Sequence, residues 1–430
     1  MIRTDNWLAK VSIESYVLPI LILMLVFSTN NRLILVMKPL SYLIAFAVVF
    51  FAMASRRKLS QPSAVKYLFM GFVALAAFSV FYTPDRASLL DYLPYLIAGA
   101  SLVLFQFDDD LFTCIFKLFS IVFWVFIASM YLELLAPSLF QRLFSFLSLG
   151  KNLVVRSVDG VAVSGLAFEK AYAAFLCNLG LGVLLARLFT KGINISTCIE
   201  ILIVSAALMM TGKRALFIIP LVGIIGFTLL FTRNHRVMAA LSVTLVVIIL
   251  VLVAYAFIPQ VSLVFDRLFA DNGDPLSGRE VFWGYAIQMF LSAPVFGVGF
   301  LSFNSYAFER GFLYYGEPWR FQAHNVYLQV LAELGIVGFT ILSCLFAILI
   351  IGLVREVKNR PSLYTMTALY WIVLIALYSL TGNTIYYACQ FIVLSIVCMV
   401  FLKYVHGGGK HDETFGKPVS YTHLRAHETS

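Results

Sequence analysis

Apolar runs of about twenty residues, separated by short polar connections, repeat along almost the whole chain. The run from Val237 to Ile258 holds 22 residues without a charge. At roughly 1.5 Å per residue, a helix of that length crosses a hydrocarbon core of about 30 Å. Backbone amides find no water inside lipid, so runs this long must satisfy themselves as helices. The pattern predicts twelve spans, over 11–28, 33–54, 65–82, 89–107, 111–135, 170–190, 195–210, 214–231, 237–258, 326–354, 363–380 and 385–405. The first lacks a small-residue cleavage site and is expected to stay as a helix.

The charges in the connections orient this bundle. If Arg3 and Lys10 lie inside, alternate connections bring Arg56, Arg57, Lys58 and Lys66, then Arg187 and Lys191, Arg233 and Arg236, and Arg355, Lys358 and Arg360 to the same side. That asymmetry is the positive-inside rule, and the acidic Asp108–Asp110 turn is its one discordant member. The expected architecture is all-α: a polytopic transmembrane bundle forming one integral membrane domain over 1–405, with both termini cytoplasmic. Two long connections, 136–169 and 259–325, fall outside, and 406–430 is a polar tail. Within the second, VFWGYAIQMFLSAPVFGVGF (281–300) is interrupted by Pro294, Gly297 and Gly299, so it reads as a short amphipathic or re-entrant helix and not as a further span.

Composition agrees: 61% hydrophobic residues, 12% charged and a mean hydropathy of +0.92 exclude an ordinary soluble domain. The net charge of +9 is dispersed between apolar runs and not gathered into a stripe, so no nucleic-acid partner is expected; the lipid bilayer is. Six cysteines stand singly, mostly inside apolar runs, and read as small packing residues with no metal role.

Of six histidines, four (His406, His411, His423, His427) lie in the tail and His235 in a basic connection, which leaves His324, at the head of a long apolar run. On a helix at about 100° per residue, Leu328, Leu331, Gly335 and Gly338 fall within roughly 40° of His324, and Glu333 points the opposite way. Glycines in that stripe let a neighbouring helix approach closely. The helix N-terminus lowers the imidazole pKa and favours the neutral form, as a general base needs. Spacing alone also allows an interfacial polar residue above two packing glycines.

His324, Asn325, nine residues (VYLQVLAEL), then Gly335, Ile336, Val337 and Gly338 resemble the pattern of bacterial O-antigen ligases, whose superfamily includes polysaccharide polymerases. TGKRALFIIPL (211–221) and SGREVFWGYAIQMFLSAPVFGVGF (277–300) extend the resemblance upstream. It implies a metal-independent, inverting glycosyl transfer with no cofactor, on the periplasmic face of the bacterial inner membrane. The donor would be an undecaprenyl-pyrophosphate-linked glycan, and the acceptor a sugar hydroxyl of lipid A core or of another lipid-linked repeat. His324 would be the base. Arg214 and Arg279 would hold the pyrophosphate, since guanidinium forks suit phosphate oxygens, with Lys213 and Asn325 as further substrate contacts and Gly335 and Gly338 as structural residues. Read without the resemblance, Arg214 could be an interfacial snorkelling residue and Arg279 could pair with a loop acid.

Other features compete. Arg267, Arg310 and Arg320 are possible substrate contacts without a motif. Asp108–Asp110 imitates a metal-holding carboxylate cluster but lies on the other side, and Asp271 and Asp274 read as a turn. Glu133, Glu200 and Glu333, within apolar runs, would be proton-relay residues in a solute transporter, the reading of another class; simple pairing with polar neighbours is the alternative. The last residues, PVSYTHLRAHETS, resemble translated sequencing-adapter sequence and are set aside.

Overall fold

A computed structural model describes residues 14–27, 34–54, 58–148, 162–231, 255–256, 262, 279–311, 313–314, 317–318 and 322–407. The long helices are α1 (Glu14–Phe27), α2 (Ile34–Ala54), α3 (Ala64–Phe78), α4 (Arg86–Leu104), α5 (Asp109–Leu135), α7 (Lys170–Lys191), α8 (Ile195–Met210), α9 (Arg214–Phe231), α12 (Val326–Asn359), α13 (Leu363–Tyr378) and α14 (Ala388–Val400). Three shorter ones, α6 (Pro137–Phe144), α10 (Arg279–Ser292) and α11 (Phe303–Glu309), lie in the long connections, as does a two-residue hairpin, Leu313–Tyr314 with Glu317–Pro318. Eleven of the twelve predicted stretches thus contain a helix; 237–258 lies, but for Tyr255 and Ala256, outside the described residues. Among the described residues, six helices are long and apolar enough to cross a membrane: Ala64–Phe81, Arg86–Leu104, Asp109–Leu135, Lys170–Lys191, Val326–Asn359 and Ala388–His406. The 281–300 segment is not among them.

Local sequence explains where helices begin. Side chains of Ser63, Asp85, Glu169, Asn194, Asn325 and Ser362 each accept a backbone N–H from the first turn of α3, α4, α7, α8, α12 and α13. The helices pack through both apolar and polar contacts. Trp371 of α13 stacks on Phe116 of α5 and donates its Nε1–H to Leu179 O at 3.0 Å. Asn178 of α7 donates to Leu216 O of α9 at 3.1 Å and accepts from Tyr370 OH at 3.0 Å, joining three helices with one amide. On the outside, α2 exposes Leu43, Phe46, Phe50 and Met53 in one stripe, an apolar face that water would penalise and lipid does not.

The connections gather at two ends. At one, His406 bonds Pro62 O at 2.8 Å and Asp109 meets Lys403 at 3.5 Å and Tyr404 OH at 2.8 Å, so the acidic turn is partnered by a basic residue. At the other, Tyr82 OH donates to Phe296 O at 3.0 Å, Phe300 N–H to Ser79 Oγ at 3.0 Å, and Val326 N–H to Ser379 O at 2.8 Å. This second end carries His324.

Three carboxylates within the apolar runs have fixed partners. Glu133 accepts the N–H groups of Ser164 and Gly165 at 2.9 and 2.6 Å, which ties the first long connection to α5. Glu200, only half-buried, pairs with Arg187 at 3.0 Å. Glu333 belongs to the site below.

Candidate functional site

α12 is not one continuous helix. Gly335 stands at φ 62°, ψ −166°, a conformation that L side chains rarely adopt, and the helical ladder breaks there. The loop after α10 fills the break. Val298 and Gly299 donate to the carbonyls of Ala332 and Glu333 at 3.1 and 2.8 Å, and Ile336 and Val337 donate to those of Pro294 and Val295 at 2.9 and 3.3 Å. Four bonds to another segment thus occupy backbone groups at the break. The fit is close on both sides: a Cβ on Gly335 would overlap the Val295 carbonyl, and one on Gly297 the Glu333 carbonyl.

This corrects the expected stripe. His324 precedes the helix, with φ 50°, and Asn325 is the cap, its Oδ1 accepting Leu328 N–H at 3.2 Å. The histidine therefore shares no helical face with Gly335 and Gly338. Gly335 admits a loop where a neighbouring helix was expected, and Gly338 makes room for Leu334 across the break.

His324 is held from several directions. α10 passes beside it: the Phe282 ring lies 6.3 Å from the imidazole, and Trp283 Nε1–H donates to Ala323 O at 3.1 Å. From the turn between α13 and α14, the Asn383 carboxamide reaches Nδ1 at 3.2 Å. Burial, then the positive charges of Arg279 and of Lys213, lower the imidazole pKa from 6.5 to about 4. Neutrality therefore comes from burial and two neighbouring cations, where the sequence reading had credited the helix terminus. Arg279 opens α10, and Lys213 stands just before α9. The same arginine acts electrostatically on Tyr378, as does Glu169, the cap of α7. Burial, followed by the Glu169 charge, raises the pKa of the neighbouring Tyr387.

Beneath the histidine lies a buried polar pair. Glu333 accepts Leu301 N–H at 2.8 Å on one oxygen, and Phe303 N–H at 2.9 Å together with Gln329 Nε2–H at 3.1 Å on the other. Gln329 in turn accepts the N–H of Ala323 at 3.2 Å.

The structure thus brings His324, Arg279 and Lys213 into one electrostatic neighbourhood. Arg214 is the first residue of α9, adjacent to Lys213, and its side chain lies outside the described residues. Arg310 packs over Tyr306 at 5.0 Å. Arg267, Arg320, Asp271 and Asp274 lie outside the described residues, and Asp108–Asp110 lies at the opposite end of the bundle. Sequence reasoning missed Asn383, Tyr387 and Glu169; the polar TGN break between two apolar runs was the available signal for the first.

Comparison with curated proteins returns no match. Residues 200–343, a third of the chain, match the family described as O-Antigen ligase, and the matched segment contains Lys213, Arg214, Arg279, His324, Asn325, Gly335 and Gly338. The match, together with a mainly helical architecture and apolar helices long enough to cross a membrane, makes this third of the chain similar to the O-antigen ligase family.

Proposed function

We propose that this protein is a membrane glycosyltransferase that moves a glycan from undecaprenyl pyrophosphate to a sugar hydroxyl, as an O-antigen ligase does. The observation that carries the reading is a half-buried imidazole kept neutral beside Arg279 and Lys213. Neutral imidazole accepts a proton, and neighbouring fixed cations attract the pyrophosphate of the donor.

His324 takes the proton of the acceptor hydroxyl as that oxygen forms its bond to the anomeric carbon. The bond from that carbon to the pyrophosphate oxygen breaks on the opposite face, and its electron pair leaves on the pyrophosphate, so configuration inverts. Arg279 and Lys213, with Arg214 adjacent in the chain, neutralise the charge growing there. No metal or cofactor takes part. A base at Nε2 needs the ring's own hydrogen on Nδ1, and Asn383 accepts that hydrogen when its amide is turned by half a revolution so that Oδ1 faces the ring.

The site faces the periplasm, across the bacterial inner membrane from both termini, in a bundle of twelve spans. Lys66 and Lys403, at the end opposite His324, support that orientation. An O-antigen or exopolysaccharide polymerase would use the same donor chemistry with a lipid-linked acceptor. The solute-transporter reading draws less support, because Glu133, Glu200 and Glu333 are engaged by backbone amides, Arg187 or Gln329.

The test is His324→Ala, with membrane insertion confirmed and surface polysaccharide measured. Loss of surface-linked glycan is expected; full-length glycan on the surface refutes the base. Product analysis separates the acceptors: glycan joined to lipid A core marks a ligase, and a lengthened lipid-linked chain a polymerase.

A further inference from the structure

Two of the three described non-glycine residues with positive φ are Leu301 (61°) and His324 (50°). Leucine gains nothing from that conformation, and histidine, although found there more often than most side chains, still adopts it uncommonly, so contacts that hold both backbones matter. Each is anchored by one member of a bonded pair of side chains. Glu333 binds the N–H of Leu301 itself, and Gln329 binds the N–H of Ala323, the residue directly before His324. The two are joined by Gln329 Nε2–H to Glu333 Oε1 at 3.1 Å, and both are almost completely buried.

The chemistry fixes the direction of every bond in this chain. A backbone N–H only donates, so Gln329 must present its carbonyl to Ala323, which leaves its amino group for the carboxylate. A carboxylate taking two backbone N–H groups and one amide N–H is well satisfied. The arrangement spans three segments: the loop after α10, the stretch preceding His324, and the first turns of α12. It is more than α12 needs for its own stability, since neither Leu301 nor Ala323 belongs to that helix.

We propose that Gln329 and Glu333 are positioning residues that hold the His324 backbone in its left-handed conformation and so aim the imidazole at the acceptor hydroxyl. The inference rests on His324 acting as the base. Gln329 reaches the histidine through one backbone bond, so its removal loosens residues 323–324, leaving Trp283 on Ala323 O and Asn383 on the ring, without touching Arg279 or Lys213. A loosened loop admits water to the imidazole and turns it away from the acceptor; donor binding through the cations persists.

The experiment uses the full chain reconstituted in lipid, with transfer rates measured from pH 3.5 to 8 for wild type, Gln329→Met, His324→Ala and Glu133→Gln. Gln329→Met keeps the length and buried volume but loses both hydrogen bonds. The expected result is a 10- to 100-fold fall in kcat with donor KM unchanged, and movement of the acidic limb of kcat/KM from near pH 4 toward 6.5. Glu133→Gln, which disturbs another buried carboxylate clamp, should lower stability and leave that limb where it is. If Gln329→Met keeps the wild-type kcat and limb while His324→Ala is inactive, positioning is overturned and the base stands; if His324→Ala is active, the base reading itself falls. A loss of activity in Gln329→Met that tracks only the loss of folded protein also overturns positioning. Should Gln329→Met fail to reach the membrane, Gln329→Asn, which keeps the amide but is too short to bridge both partners, must show the same shift of the limb.

Discussion

Replacing Gly335 by alanine tests the break in α12 directly. The residue sits at φ 62°, ψ −166°, where a side chain costs about 1–3 kcal/mol in backbone strain. The new methyl group would also overlap the Val295 carbonyl, so the loop must retreat. Retreat stretches four backbone bonds, at 2.8 to 3.3 Å, each contributing on the order of 1 kcal/mol net. If half to all of them are lost, the total is roughly 3–7 kcal/mol, a factor of about 10² to 10⁵ in the folded population and a large part of a typical native stability of about 5–15 kcal/mol. Thermal unfolding of detergent-purified protein, followed by tryptophan fluorescence, should show a marked fall in midpoint and a poor yield of folded material. Gly71→Ala is the internal control: a Cβ there meets nothing within 4 Å, and alanine in a helix interior gains about 1 kcal/mol over glycine. A Gly335→Ala protein that melts with the wild type would refute the claim that the break needs glycine.

Other expectations follow from the site. Because burial, Arg279 and Lys213 hold His324 near pKa 4, transfer should stay constant from pH 8 to about 5 and fall near 4; Arg279→Gln removes a cation and should move that fall to higher pH, read in an in vitro transfer assay. The same depressed pKa has a stability consequence of defined sign: the contribution of His324 is complete above pH 6.5 and is lost as pH falls through 4, because the unfolded chain takes up the proton first. Glu333→Gln leaves one buried N–H donor facing an amino group and should lower stability by about 1–3 kcal/mol, measured by the same melting assay. Transfer by purified protein should survive EDTA; loss of activity restored by magnesium would contradict the proposed chemistry.

The helices were legible because their signal is local. Twenty apolar residues in a row declare a helix without reference to anything distant, and Pro294 with Gly297 and Gly299 showed that 281–300 would not continue as a span. Of the candidate site, the sequence offered residue types alone. His324, Arg279 and Lys213 could be picked out as chemistry in an apolar chain, and a family pattern gave their order. Their geometry could not be read, because it depends on partners far along the sequence. Gly335 inside an apolar run looks like a packing glycine until Val295, forty residues earlier, is seen against it. Asn383 reaches His324 across 59 residues, with only a polar interruption between two apolar runs to mark it.

The break at Gly335 also bears on the order of biogenesis. From Ile336 to Asn359 the helix extends about 36 Å, which already suffices to traverse the bilayer. The nine residues from Val326 to Leu334 are therefore surplus to insertion, and they gain their footing from the 294–299 loop and from Ser379, a residue synthesised after the span itself. A nascent chain can thus be threaded into the membrane with its histidine still unplaced. The partners of His324 are complete only when α13, the turn that follows it and the 294–299 loop are all in place.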